Sequence, residues 1–526
     1  MSASTQPVSH AAARSGRVRP AEPAPPSAVV GLAILVAAVS LVPLGFIVYV
    51  AVDTGWATIE ALVFRPRIGE LLINTALLEV LTLPLAAALA VSLAWLIERT
   101  DLPGARLWGA LAVAPLAIPA FVHSYGWINA FPRFHGLPAA VLISVLAYSP
   151  FIYLPVAAQL RRLDPAIEDA AASLGKTPRQ VFLHVVLPQL RLALLAGGLL
   201  VSLHLLAEYG LYAMIRFDTF STAIVDVFQS AYNSPSANMM GGVLLIFCVV
   251  LLVTESGLRG GERLARVGQG AQRPPFRRRL GSLRLPALGL TAGAALLALG
   301  VPLVTVARWL LFGGLAVWPG DVFVAFAETV GLALAGGALA TAAAAPAAWL
   351  AVRAPGRLQR TLEAAHYYVG SLPGVIVALA LVTVTVRLVL PLYQTYATLI
   401  LAYVLLFLPR AMAGLRASLA QAPPELEQAA MALGRTPFTA VRQVTFRLAA
   451  PGAAAALALV ALGIANELTA TLMLSPNGTH TLATEFWAYS AELDYAGAAP
   501  YAVMMILLSL PLSLLLHAQS ERLAGQ

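Results

Sequence analysis

The chain carries one polar segment twice, as EDAAASLGKTP at residues 168–178 and as EQAAMALGRTP at residues 427–437. The copies are 259 residues apart, about half of the 526-residue chain. Each copy lies between long apolar stretches. A polar segment that recurs at the same place in two apolar halves indicates two equivalent docking points for something in water.

The composition predicts a membrane protein. Hydrophobic residues make up 59% of the chain and charged residues 11%, whereas soluble domains carry roughly 25% charged residues. A membrane-spanning helix needs about 20 apolar residues. We therefore predict an all-α polytopic protein with about twelve spans, near residues 28–52, 73–96, 107–130, 138–160, 192–214, 237–254, 285–308, 322–349, 364–386, 396–415, 449–473 and 499–517.

The net charge of +8 is explained by the orientation of the spans. If the N-terminus is cytoplasmic and the spans alternate, most of the 33 basic residues fall on the cytoplasmic side. The exceptions are Arg65, Arg67, Arg133, Arg216, Arg308 and Arg387. This is the positive-inside pattern, so the charge requires no nucleic-acid partner. The same alternation places both copies of the polar segment in the cytoplasm.

The repeat extends along the chain. At the same offset Pro150 matches Pro409 and Glu208 matches Glu467, and Arg99 matches Arg353 with an offset of 254. Each half thus has six spans, an even number, so the halves should lie parallel about an axis normal to the membrane. We predict a disordered tail (1–26), a first half (27–258) with a loop at 161–190, a basic cytoplasmic linker (259–284), and a second half (285–526) with a loop at 416–450.

Local signals predict two short helices in each loop. Asp164 is a good N-cap before Pro165, and Gly175 suits a left-handed helix end. Thr177 and Gln180 form a capping box that starts the second helix. The later copy repeats this plan around Gly434 and Thr436-Pro437.

The loops resemble the EAA loop of ABC importer permeases. The matching residues are Glu168, Ala170, Gly175, Val185, Leu187 and Pro188 in the first copy and Glu427, Ala429, Gly434 and Val444 in the second. The second copy has Phe446-Arg447 where Leu-Pro is expected, so its exit from the loop departs from the family pattern. The resemblance covers both halves.

The resemblance implies a type I importer-like permease in the inner (plasma) membrane of a bacterial cell. In that family the loops are coupling helices that fit clefts of a cytoplasmic ATP-binding subunit, here two copies for one chain. An extracytoplasmic substrate-binding protein and membrane lipid are the other implied partners. The chain itself would be a transport subunit with neither cofactor nor metal and without enzyme activity.

Other motifs are weaker. LGKT at 174–177 resembles the end of a phosphate-binding loop, but Ala170 stands where that motif needs glycine, and no strand precedes it. Cys248 lies in a predicted span and is expected to be a small core residue. His123, His204 and His366 have no metal-ligand spacing and are expected to pack by hydrogen bonding.

Two acidic residues are candidates for the passage through the membrane. Glu208 and Glu467 are equivalent in the repeat and lie near the outer ends of the fifth and eleventh predicted spans. Ionisable residues inside spans are costly and commonly functional. The alternative is that each carboxylate caps a neighbouring helix.

The segments LHLLAEYG (203–210) with RFDTF (216–220), and ANELTATL (465–472) with TLATEFW (481–487), look like ferric-iron importer permeases. We therefore expect iron(III) as cargo, with thiamine and 2-aminoethylphosphonate as alternatives. An ion-driven secondary transporter could also have six plus six parallel spans, but it would need no duplicated docking loop.

Overall fold

The structure is a computed structural model that describes residues 26–231, 234–259, 277–318 and 320–522. Within these ranges the regular structure is helical, apart from one isolated bridge between Thr100 and Arg278. The predicted all-α class is confirmed. Residues 1–25 of the predicted tail and 260–276 of the predicted linker lie outside the described residues.

Among the described residues the first half contains fourteen α-helices. They are α1 (Ser27–Ser40), α2 (Val42–Thr54), α3 (Trp56–Val63), α4 (Pro66–Arg99), α5 (Ala105–Val113), α6 (Ala120–Ala130), α7 (Gly136–Arg162), α8 (Pro165–Ser173), α9 (Pro178–Val181), α10 (Leu187–Gln189), α11 (Arg191–Ala207), α12 (Gly210–Met214), α13 (Phe220–Ala231) and α14 (Ser234–Arg259).

The described part of the second half contains twelve more. They are α15 (Arg284–Ala295), α16 (Val301–Gly313), α17 (Gly320–Arg353), α18 (Arg357–Gly370), α19 (Gly374–Leu388), α20 (Tyr396–Ala420), α21 (Pro424–Ala432), α22 (Pro437–Ala440), α23 (Phe446–Ala465), α24 (Thr469–Leu474), α25 (Leu482–Ala491) and α26 (Tyr495–Arg522). Short π-helical turns at Phe182–Val186, Leu296–Gly300 and Val441–Thr445, and 3₁₀ turns at Ala114–Ala117, Gly281–Leu283, Gly314–Val317 and Leu390–Leu392, link some of these helices.

All twelve predicted spans fall on helices, but several are not straight rods. Among the described residues seven helices are long and apolar enough to cross a membrane, or up to ten if each of three bent pairs counts as one span. Two shorter apolar helices, Gly374–Leu388 and Tyr495–Pro511, occupy the ninth and twelfth predicted positions. The count of twelve therefore requires bent and short helices to be included.

Proline breaks the third predicted span of each half. In the first half the helices on either side of Pro119 are bent by 96°. In the second half α18 ends before Pro373, and α19 starts after it. Proline lacks the backbone N–H that a continuing helix needs and disfavours the helical conformation of the residue before it. The predicted span at 107–130 is thus a bent pair of helices.

The halves are interlocked through their first spans. In the first half α1 packs on α17 and α18, and in the second half α16 packs on α6. Ala33 and Ala37 of α1 are buried with Leu350 and Leu362 of the other half. Because each first span covers the opposite half, the two halves form one packed body.

The halves approach each other closely at Gly126 in α6. A Cβ atom at this position would lie 2.6 Å from the Cα of Pro302 in α16. The neighbouring Thr305 hydroxyl donates a hydrogen bond to the Gly126 carbonyl over 3.2 Å. Small residues allow such close helix contacts in membranes.

We expect Gly126→Ala to destabilise the protein by about 1–3 kcal/mol, because the added methyl group overpacks this contact. The measurement is the midpoint of thermal unfolding in detergent. Gly198→Ala in α11 is the matched control, since a Cβ there meets no atom within 4 Å. Equal midpoints for the two variants would show that the α6–α16 contact is not close in the protein.

Candidate functional site

The first repeated loop folds as its sequence predicts. The Asp164 carboxylate accepts a hydrogen bond of 2.9 Å from the Ala166 N–H and caps α8. Thr177 and Gln180 form the predicted capping box at the start of α9. Between the two helices Gly175 has φ of +82°, and its counterpart Gly434 has φ of +85°. Only glycine adopts this conformation without strain, so both predicted glycine breaks are confirmed.

The two loops expose equivalent apolar side chains. Ile167 and Leu174 are 41% and 81% exposed, and Leu426 and Leu433, at the equivalent positions, are 46% and 85% exposed. Ala171 of α8 is buried instead. The exposed side chains form a small apolar surface on each loop.

The glutamate of each loop points the other way, into the protein. Glu168 binds Arg99, with 3.1 Å between Oε1 and Nη1, and Glu427 binds Arg353, with 2.6 Å between Oε1 and Nη2. All four side chains are at most 14% exposed. Arg99 and Arg353 are the last residues of α4 and α17. Each loop is thus tied to the end of a long helix of its own half by a buried ion pair.

A third side chain completes each ion pair, and it differs between the halves. In the first half Arg278 of the linker lies 3.3 Å from Glu168 and stacks over the Trp95 ring at 5.6 Å. In the second half the Thr445 hydroxyl donates to Glu427. The linker was predicted to act only as cytoplasmic charge, so the role of Arg278 was not foreseen. For the ion pairs themselves the sequence did contain a signal, because Arg99 and Arg353 occupy equivalent positions in the repeat.

The chain also leaves the two loops differently. In the first half the helical segments Pro178–Gln189 and Arg191–Ala207 are bent by 63° just after Pro188. In the second half Val441–Ala465 is one continuous helical segment that runs through Phe446-Arg447. The second loop thus departs from the family pattern at the same two residues where its helix continues without a bend.

Glu208 and Glu467 lie at breaks where α11 and α23 end. The Glu208 carboxylate accepts a hydrogen bond of 2.9 Å from the Leu211 N–H, and Glu467 accepts one of 3.0 Å from the Ala470 N–H. Each carboxylate therefore caps the short helix that follows, α12 or α24. Tyr148 donates a further hydrogen bond of 2.7 Å to Glu208. The capping role considered for these residues is present in the structure.

The two breaks meet between the halves. A Cβ atom on Gly210 would lie 2.9 Å from Leu468 of the other half. The side chains of Glu208 and Glu467, close by at these breaks, are nevertheless only half-buried. From this partial exposure at a contact between the halves we infer a space that the two carboxylates line, which we call the central hollow.

Two basic side chains share the central hollow. His204 of α11 stacks on Phe151 with 4.5 Å between ring centres. Arg410 of α20 is exposed, and its Nη1 lies beside Gly463, one helical turn before Glu467. No sequence signal singled out Arg410, although it follows Pro409, one of the residues that revealed the repeat.

Of the remaining intramembrane histidines, His123 packs by hydrogen bonding as expected, whereas the expectation is wrong for His366, whose ring nitrogens have no hydrogen-bond partner among the described residues. His123 Nε2 lies 3.3 Å from the Pro115 carbonyl, and His366 is buried. Within the part of the chain that the structure describes, no group of three His, Cys, Asp or Glu side chains could hold a metal ion.

Comparison with known proteins shows what the chain is similar to. Residues 337–525 match the family model described as binding-protein-dependent transport system inner membrane component. The Fe(3+)-transport system permease protein FbpB 2 of Haemophilus influenzae is 35% identical over 489 residues, which cover 92% of this chain and 97% of that protein.

More distant relatives match a smaller part. The sulfate transport system permease protein CysW of Escherichia coli is 24% identical over 251 residues, covering 44% of this chain and 86% of that protein. The sulfate transport system permease protein CysT of Synechococcus elongatus is 29% identical over 194 residues, covering 32% and 68% of the two chains. These proteins thus correspond to less than half of this chain.

The buried ion pair of the second loop can be tested by a double-mutant cycle. We expect Arg353→Gln and Glu427→Gln each to lower the free energy of unfolding by about 3–5 kcal/mol, since each leaves a buried charge without its partner. The double variant should lose less than the sum. The measurement is stability in detergent, with Glu425→Gln on the exposed first turn of α21 as control. If the two losses simply add, the side chains do not interact.

Proposed function

Because this chain belongs to the family of inner-membrane components of binding-protein-dependent transport systems, we propose that it forms the passage of an iron(III) importer. It is a multi-pass inner-membrane protein and the permease subunit of an ABC importer. Three further points are proposed: that the cargo is iron(III), that transport is coupled to ATP hydrolysis by a separate subunit, and that the residues named below carry out the coupling and line the passage.

One observation supports iron(III) as the cargo. The similarity to the Fe(3+)-transport permease runs through both halves and covers nearly the full length of both proteins. The sulfate permeases match only about one half at lower identity. The motifs around Glu208 and Glu467 point to the same class of cargo.

The exposed apolar surfaces of the two loops support coupling to an ATPase. Leu174 and Leu433 are among the most exposed leucines of the described residues, and each directly follows a short helix, α8 or α21. A helix this short is stable only when it packs on something. Two equivalent surfaces on one chain fit two copies of a cytoplasmic ATP-binding subunit.

The buried ion pairs give the loops a route into the membrane. A force on α8 or α21 passes through Glu168 or Glu427 to Arg99 or Arg353 and so to a helix of 34 residues. Glu168, Ala170, Gly175, Leu187, Pro188, Glu427, Ala429 and Gly434 are the residues that we assign to this coupling. Glycine at the two positive-φ positions keeps each loop in its bent form.

The distribution of arginines supports a cytoplasmic N-terminus, with both loops on the cytoplasmic side. A substrate-binding protein would then deliver cargo at the opposite face. We assign no ATP site to the chain itself, because the LGKT segment lies at the end of α8 and not after a strand.

The central hollow is the proposed passage. Glu208 and Glu467 lie where two broken helices meet between the parallel halves, and broken helices commonly form transport sites in membrane proteins. Their caps hold both carboxylates at defined positions. The capping and pathway roles are compatible, since the cap fixes each carboxylate beside the hollow.

We expect a negative charge on the loop surfaces to abolish ATPase binding. The variant Leu174→Glu, Leu433→Glu buries two charges at the docking sites, whereas Thr361→Glu adds the same charge to an exposed position of α18 outside both loops. The measurement is co-purification of the ATPase subunit in detergent. Wild-type recovery with the double variant would show that these surfaces do not bind it.

The cargo is tested by ATP-driven uptake into proteoliposomes that contain the permease and its ATPase. Purified binding proteins loaded with iron(III), thiamine or 2-aminoethylphosphonate are added in turn, and we expect uptake only with iron. A Glu208→Gln, Glu467→Gln variant that still assembles should lose most of that uptake. Uptake of thiamine or the phosphonate alone would contradict the proposed cargo, and full uptake by the variant would remove the two glutamates from the passage.

A further inference from the structure

The central hollow is not symmetric. Phe151 of α7 and Arg410 of α20 are equivalent in the repeat, and each follows a proline inside its helix. His204 in the first half likewise corresponds to Gly463 in the second. One half therefore offers a histidine stacked on a phenylalanine, and the other offers a guanidinium group next to a glycine.

Gly463 makes the space that Arg410 occupies. A Cβ atom at position 463 would lie 2.9 Å from Arg410 Nη1, which is closer than real contacts of this kind. The guanidinium also stacks over the Phe407 ring, at 5.1 Å from its centre. The arginine is thus held from one side by an aromatic ring, and its planar group is kept beside α23.

The donors of Arg410 are free. The structure shows no hydrogen bond or ion pair for this residue among the residues that it describes, and its Nη1 lies beside Gly463, one helical turn before Glu467. An arginine inside a membrane-spanning helix is costly and usually pairs or faces a water-filled cavity. N–H donors that have no partner among the described residues suit an oxyanion such as a carboxylate or phosphate, which a guanidinium binds through two parallel hydrogen bonds.

The carboxylates of the hollow do not offer iron a free ligand set. Glu208 already accepts hydrogen bonds on both oxygens, from Leu211 and Tyr148, and one oxygen of Glu467 is occupied by Ala470. A bare trivalent cation would also be repelled by Arg410. A ferric ion that keeps its own oxygen ligands avoids both problems. Those ligands bind the metal in place of the glutamates, and they supply the negative charge and the hydrogen-bond acceptors that pair with Arg410.

We propose that Arg410 is an oxyanion-binding residue of the passage and that iron(III) crosses together with a bound carboxylate or phosphate anion. This inference rests on the proposed iron transport. The Arg410 guanidinium binds the anion, while the carboxylates of Glu208 and Glu467 face the metal. No bond is made or broken in this step, since the complex passes intact.

The test is double-label uptake by the permease–ATPase complex in proteoliposomes. The binding protein is loaded with ⁵⁵Fe(III) and either [¹⁴C]citrate or [³³P]phosphate, and both labels are counted inside the vesicles after ATP is supplied. We expect at least one anion to accumulate in constant proportion to iron. Iron uptake that leaves both anions outside would overturn the proposal, whereas absence of iron uptake would instead contradict the proposed function.

Variants of Arg410 give a second readout. Arg410→Gln and Arg410→Phe, the latter placing the residue of position 151 at its equivalent, should lower iron uptake at least about tenfold through loss of charge-assisted hydrogen bonds. Arg410→Lys should retain part of it. Arg416→Gln is the control, since Arg416 lies on the same helix and pairs with Glu363 instead. Wild-type uptake by an assembled Arg410→Gln or Arg410→Phe complex would overturn the proposal.

Discussion

A buried ion pair ties each repeated loop to a long helix, and the proposed coupling depends on it. Glu168–Arg99 and Glu427–Arg353 are almost shielded from water, where removing one partner leaves an uncompensated charge. The short helices of the loops could not hold their positions through their own hydrogen bonds. Without the pairs, the exposed leucines would lie on segments with little connection to the membrane helices.

The two halves share this arrangement but differ in detail around it. The linker residue Arg278 supports Glu168, whereas Thr445 supports Glu427. One loop leaves through a bend of 63° and the other through a continuous helical segment. A fused chain allows each half to diverge separately, and the same divergence gives the central hollow one arginine opposite one histidine. The symmetry of the repeat therefore describes the framework, while the differences lie at the loops and in the central hollow, where we propose that partners and cargo bind.

Much of this framework could be predicted from the sequence, because its signals are local or repeated. Asp164, Gly175 and the Thr177–Gln180 pair specify the loop by backbone chemistry alone, and apolar stretches mark the spans. The 96° bend at Pro119 was missed because proline is also tolerated inside membrane helices, as Pro150 and Pro409 show. The contacts of Arg278 and Arg410 were missed for a different reason. Both sets of contacts join residues that are distant in sequence, and no periodic sequence pattern predicts them.

The most direct test exchanges the charges of one ion pair. In proteoliposomes with the ATPase subunit and loaded binding protein, Arg353→Glu and Glu427→Arg should each hydrolyse ATP with little uptake. The combined variant, which restores opposite charges at the same two positions, should recover a substantial part of the uptake per ATP. Undiminished uptake by either single variant, or a combined variant no better than the singles, would contradict the view that this pair transmits motion from the loop to the membrane.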